Sequence, residues 1–132
     1  MPLTDEQMIE ALRANNEAIT RGDFDAAIEL ADPDIVLVRT GALLELRGAE
    51  AVRAWMEPDA FESQAYEILD HEINGNRVLT RSRTSARGAG SGIEMEIESL
   101  TLWDFNDAGK ITRVEIFLLE QEDEARRALR GD

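Results

Sequence analysis

Apolar positions over the first thirty residues recur with the period of an amphipathic helix. Met8, Ile9, Leu12, Ala18 and Ile19 fall on one stripe. Ahead of them, Thr4-Asp5-Glu6-Gln7 reads as a capping box, with Thr4 accepting from the Gln7 backbone and Gln7 reaching back. Asn15 and Asn16 stand where the stripe should continue, so one asparagine is expected to face the interior. Gly22 ends this helix, and Asp23 caps a short second one through Phe24, Ala27, Ile28 and Ala31. Asp32-Pro33-Asp34 reads as a turn, and the β-branched run Ile35–Arg39 as a strand. Gly41–Gly48 is expected to be a small hairpin or loop. Ala49–Met56 predicts a third helix with Val52, Trp55 and Met56 inward, closed by Pro58.

From Phe61 onward the period falls to two. Phe61–Ile73, Arg77–Arg87, Ile93–Phe105 and Ile111–Leu119 read as strands. They are separated by Asn74-Gly75, the glycine-rich stretch Gly88–Gly92, and Asn106-Asp107-Ala108-Gly109. Glu120–Arg130 predicts a short terminal helix with Glu122/Arg126 and Asp123/Arg127 four apart. Helices followed by an antiparallel meander give an α+β fold, with residues 1–132 as one domain.

Alternation divides the strands into two faces. Matching arginine to glutamate across the middle hairpin pairs Arg87 with Glu94 and Arg83 with Glu98. It also sets Ser82 opposite Ser99 and Thr80 opposite Thr101. One face then carries Thr80, Ser82, Thr84, Ser99 and Thr101 in its middle, with Val114, Ile116 and Leu118 on the last strand beside them. Buried hydroxyls need partners. Two readings stay open: a cavity for a small organic molecule, or hydroxyls satisfied by local backbone. The other face is charged but includes Leu79, Leu100, Leu102 and Phe117, a candidate homodimer patch ringed by ion pairs.

Composition narrows the partners. Acidic residues number 28 against 14 basic ones, for a formal net charge of −14. A field of that sign repels phosphate backbones, so neither nucleic acid nor an anionic membrane is an expected partner. No apolar run exceeds the four residues of Ile35–Val38, against about 20 for a membrane helix. There is no cysteine, hence no disulfide, thiolate metal site or cysteine nucleophile. Met1–Glu6 has neither the basic region nor the apolar core of a signal peptide, and a cytoplasmic location is expected. Nothing in the residues asks for a cofactor or metal.

Four segments carry a family resemblance. They are Gly22-Asp23-Phe24 between the first helices, and Leu30-Ala31-Asp32-Pro33-Asp34 before the first strand. Further on come Arg47-Gly48-Ala49-Glu50-Ala51-Val52 entering the third helix, and Asn106-Asp107-Ala108-Gly109-Lys110-Ile111 before the last strand. In order and spacing they resemble the nuclear transport factor two-like superfamily, and within it the SnoaL-like branch, with ketosteroid isomerase as a relative. The resemblance implies a cone in which a curved sheet, packed on about three N-terminal helices, wraps a pocket. It also implies dimers through the outer sheet face. The isomerases use a tyrosine on the first helix, an aspartate base after the first strand and a protonated aspartate on a later strand. Those positions fall here at Asn15, Arg39 and Thr101. Arginine stays protonated and is no general base. Relatives of limonene epoxide hydrolase need an Asp-Arg-Asp set and the cyclases a cavity carboxylate. The inward sets of the last three strands hold no carboxylate.

The remaining candidates are few. Arg39 is expected at the cavity mouth, where it would grip a carboxylate, phosphate or enolate, or else pair with an acid such as Asp34. Asn15 would orient a carbonyl. Trp55, with Trp103, Tyr66 and Phe61, would wall the cavity, or simply pack. His71, the one histidine, is the candidate acid/base. Three functions follow: an isomerase, cyclase or hydrolase acting by proton transfer; a non-catalytic binder of a small molecule; and a homodimeric association module.

Overall fold

The computed structural model describes residues 3–39, 44–56, 61–88 and 90–131, and all their side chains except those of residues 55, 56 and 61–64. Helix α1 (Asp5–Arg21) opens on the expected capping box. The Gln7 N–H donates to Thr4 Oγ1 at 3.1 Å and the Thr4 N–H to Gln7 Oε1 at 2.9 Å. It ends at Gly22, whose φ of 77° is the left-handed conformation glycine adopts without strain. Asp23 caps α2 (Phe24–Glu29) by accepting from the Ala26 N–H at 3.1 Å.

Strand β1 (Ala31–Arg39) begins earlier than expected: Asp32-Pro33-Asp34 lies inside it. The turn chemistry survives as an Asp34 N–H to Asp32 Oδ1 bond of 2.9 Å and a register shift between Ala31 and Val36. Strand β2 (Leu44–Arg47) returns antiparallel to β1, and α3 (Ala49–Met56) follows. Pro58 and Gly41 to Leu43 lie outside the described residues. Then come β3 (Phe61–Asn74), β4 (Arg77–Gly88), β5 (Glu94–Phe105) and β6 (Ile111–Leu118). The two-residue turn between β3 and β4 is Gly75-Asn76, with φ of 62° at Gly75. A 3₁₀ turn (Leu119–Gln121) leads into α4 (Glu122–Arg130), two residues later than predicted.

The six strands form one curved open sheet in the order β2-β1-β6-β5-β4-β3. The architecture is α+β as expected, with one refinement: β1 runs parallel to β6, and the other neighbours are antiparallel. The β4–β5 register is the one that charge and hydroxyl matching predicts, including Arg87 with Glu94 and Ser82 with Ser99. Met8 and Leu12 of α1 and Val52 of α3 pack on Ile35, Leu37, Val78, Phe105, Ile111 and Val114 to make the main core under the inner face. No helix among the described residues is long and apolar enough to cross a membrane.

The outer face corrects an expectation. Leu79, Leu100, Leu102 and Phe117 are not an open patch; they are buried under the chain's own α4, against Ala125 and Leu129. Polar latches hold the helix there. Arg77 donates to the Ala128 carbonyl at 2.6 Å while bridging Asp104, and Asn74 Nδ2 donates to the Leu129 carbonyl at 2.8 Å. Arg126 bonds Glu122 and reaches Glu72 on β3 at 2.6 Å; these bonds raise its pKa further above the ordinary arginine value. The expected Asp123/Arg127 pair is instead a bond from Arg127 to the Asp123 carbonyl. Beyond α4 the outer face is an ion-pair field, with Arg83 within 3.1 Å of Glu96 and 3.8 Å of Glu98.

Candidate functional site

The register sorts inner-face residues into rows that run across the strands. The first row is Leu37, Val114, Trp103, Val78 and Ile73. Four of its five members are aliphatic, and it lies in the packed part of the core. The second is Arg39, Ile116, Thr101, Thr80 and His71; the third is Leu118, Ser99, Ser82 and Ile68; the fourth is Ile97, Thr84 and Tyr66. Polarity therefore appears one row beyond the core, on β4 and β5, where the sheet runs past the packed part of α1.

A cavity of about 540 Å³ occupies that region. This is within the usual range for sites that take small organic molecules, roughly 300–1,000 Å³. Asn15, Asn16 and Ile19 of α1 face it from one side and the inner sheet from the other. Its deep wall includes Ile35, Leu37, Val52, Trp103, Ile111 and Val114; Met95, Ile97 and Leu118 are exposed apolar residues of its outer part. Of the candidates, Asn15, Arg39, Ser82, Thr84, Ser99 and Thr101 all line this cavity, joined by Trp103 and Tyr66.

Two candidates fall elsewhere. Thr80 is wholly buried behind the wall and serves the fold. Trp103 Nε1–H donates to its hydroxyl at 3.0 Å, and that hydroxyl donates to the Thr101 carbonyl at 3.4 Å. Its hydroxyl is thus satisfied within the sheet. His71 pairs with Thr80 but stands on the sheet's edge strand, exposed and outside the cavity lining. Beyond a register shift between Ile68 and Asp70 it keeps an inner-face position, but at the open edge of the sheet. The side chains of Trp55 and Phe61 lie outside the described ones.

Asn15 is the most telling lining residue. Only 4% of it is exposed, yet its side-chain amide makes no hydrogen bond to any described residue. Its amide atoms are not sealed off, so the polar end of this otherwise buried residue opens on the cavity. Thr84, Ser99 and Thr101 likewise donate no side-chain hydrogen bond to a described residue. Arg39 is exposed, the only charged residue of the described wall, and without an ion-pair partner among the described residues. It does not pair with Asp34. Burial raises the pKa of the Tyr66 phenol, so at neutral pH it is protonated. The described wall contains no carboxylate and no histidine. Among the described residues no cluster of ligating side chains suits a metal ion.

The sequence over residues 12–114 matches the SnoaL-like domain family, and the chain belongs to that family. Its fold is similar to that of an epoxide hydrolase of the limonene epoxide hydrolase type from M. tuberculosis. The TM-score is 0.73 at 18% identity, over 91% of this chain and 84% of that one. It is also similar to a protein of ketosteroid isomerase-like fold from Catenulispora acidiphila, in complex with trimethylamine. There the TM-score is 0.74 at 18% identity, over 92% of each chain. TerC, co-crystallised with polyporic acid, is a third, with a TM-score of 0.72 at 18% identity over 96% and 99%. At such identities the likeness is one of fold. A comparison with curated proteins finds no match.

Proposed function

We propose that this SnoaL-like protein binds a small, largely apolar organic molecule between α1 and the inner sheet face. The amide of Asn15, without a hydrogen bond in the fold and open to the cavity, carries the reading. A residue in that position serving only the fold would be apolar, or bonded like Thr80. Its amide offers both a donor and an acceptor, suited to a ligand carbonyl or hydroxyl. Ser99 and Thr101 add hydroxyls one row and two rows from Ile97. The small molecules held by TerC and by the C. acidiphila protein are in keeping with this use of the fold.

Binding is favoured over proton-transfer chemistry. An isomerase, cyclase or hydrolase of the kind found among relatives needs a base near the reacting atom. The described wall offers a protonated phenol and an arginine in place of one. The association reading loses its motivating patch, since α4 covers it.

The test is titration with N-phenyl-1-naphthylamine, a neutral fluorescent probe, of wild type and of Ser99→Phe, which fills the cavity from its wall. Wild type is expected to bind it saturably at one site. Ser99→Phe, shown to be folded by circular dichroism, is expected to bind at least about tenfold more weakly. Equal binding by both, or none by wild type, would overturn the proposal.

A further inference from the structure

We infer that the ligand is a monoanion, with its charge held by Arg39 at one end of the site and its apolar body lying over the inner face of β5 and β6. The inference rests on the binding function proposed above and names the ligand's class. Four observations carry it.

The first is charge. The molecule bears a net −14, yet the described wall of its cavity has one charged group, and that group is a cation. No described acid neutralises it. In a protein with twice as many acids as bases, an arginine at a cavity without an ion pair is an available anion-binding group. The second is the absence of opposing charge: no carboxylate stands among the described lining residues, so nothing there repels an anionic group.

The third is position. Arg39 ends β1 in the same cross-sheet row as Ile116 and Thr101. Strands lie about 4.8 Å apart, so the Cα atoms of Arg39 and Thr101 stand about 10 Å apart with Ile116 between them. An anionic head on the guanidinium would thus lie against Ile116, with the Thr101 hydroxyl within reach of its other polar atoms. The fourth is the apolar outer wall. Met95, Ile97 and Leu118 line the cavity and yet stay 40%, 56% and 40% exposed. They suit a hydrophobic body too large to be swallowed whole.

One guanidinium fits one carboxylate or sulfonate, two-pronged. A polyanion would find no second cation on the described wall and would meet the repulsive field of the whole protein. The ligand class is therefore an amphiphilic organic monoanion, not a nucleotide or a sugar phosphate.

The experiment compares two probes with the same ring system, 8-anilinonaphthalene-1-sulfonate and neutral N-phenyl-1-naphthylamine, on wild type, Arg39→Ala and Arg39→Lys. Arg39→Ala is expected to weaken the sulfonate about tenfold or more and to leave the neutral probe within about twofold, since a charge-assisted hydrogen bond is lost only for the former. Arg39→Lys should recover part of the sulfonate affinity, because the charge returns without the fork. Should Arg39→Ala weaken both probes equally, or neither, the anion inference fails while the cavity reading stands. Should neither probe bind wild type, the cavity reading itself fails.

Discussion

Removing residues 120–132 is expected to lower the stability of the chain by several kcal/mol and to make it self-associate. Leu79, Leu100, Leu102 and Phe117 are each at most 5% exposed beneath α4, and Ala125 and Leu129 seal them. Full burial of a large apolar side chain is worth about 1.5–3 kcal/mol. Uncovering four of them in part, and losing Leu129 as well, removes a large share of a total stability that is typically about 5–15 kcal/mol. The Arg77 and Asn74 bonds to α4 carbonyls go at the same time. What remains is a contiguous apolar face on a sheet, which water-soluble proteins rarely leave open. Urea unfolding should show a lower midpoint, and light scattering a higher mass than that of the full chain. If the shortened chain kept both the midpoint and the mass of the full one, α4 would have no role in covering the sheet.

Leu12→Ala is expected to cost about 2–5 kcal/mol. Leu12 is 0% exposed and sits in the cluster of Met8, Ile35, Leu37, Val52 and Val78 that seats α1 on the sheet. The cost should fall near the upper end. The void left by the side chain would be walled by the rigid inner sheet, which cannot collapse into it. The urea midpoint should drop with little change in the slope of the transition. A loss below about 1 kcal/mol would mean that α1 is not seated as described.

Much of this was legible in the sequence, for reasons that differ by element. The capping box, the Gly22 stop and the β4–β5 register depend on neighbours in sequence or on one hairpin, so local chemistry decided them. The hydroxyls of Ser82, Thr84, Ser99 and Thr101 reached the right face because a strand's period of two carries over its whole length. His71 shows where that reasoning stops. It keeps an inner-face register opposite Thr80, but β3 is the edge strand, and the strand order is not written in the alternation. Thr80 shows another limit. Its partner Trp103 stands two residues from Thr101 on β5, but the donation of an indole N–H into the core depends on packing depth. The outer leucines were correctly grouped, yet their cover comes from α4, a polar-looking segment whose Ala125 and Leu129 gave little sequence signal. The parallel pairing of β1 with β6, which brings Arg39 level with Thr101, joins segments over seventy residues apart, beyond any local pattern.

The central proposal is that the Asn15 amide, open to the cavity and bonded to nothing in the fold, is kept for a ligand. Equilibrium unfolding of Asn15→Leu in urea tests it most directly. Asn15 lies one turn from Leu12 on the same buried face of α1, so leucine suits its surroundings. Leucine in its place adds apolar contact beside Leu12, breaks no hydrogen bond, and removes the polar group that opens on the cavity. Asn15→Leu is expected to be at least as stable as wild type, with a gain of up to about 1 kcal/mol from the added apolar contact. A variant less stable than wild type would mean that the amide serves the fold, and would contradict the account.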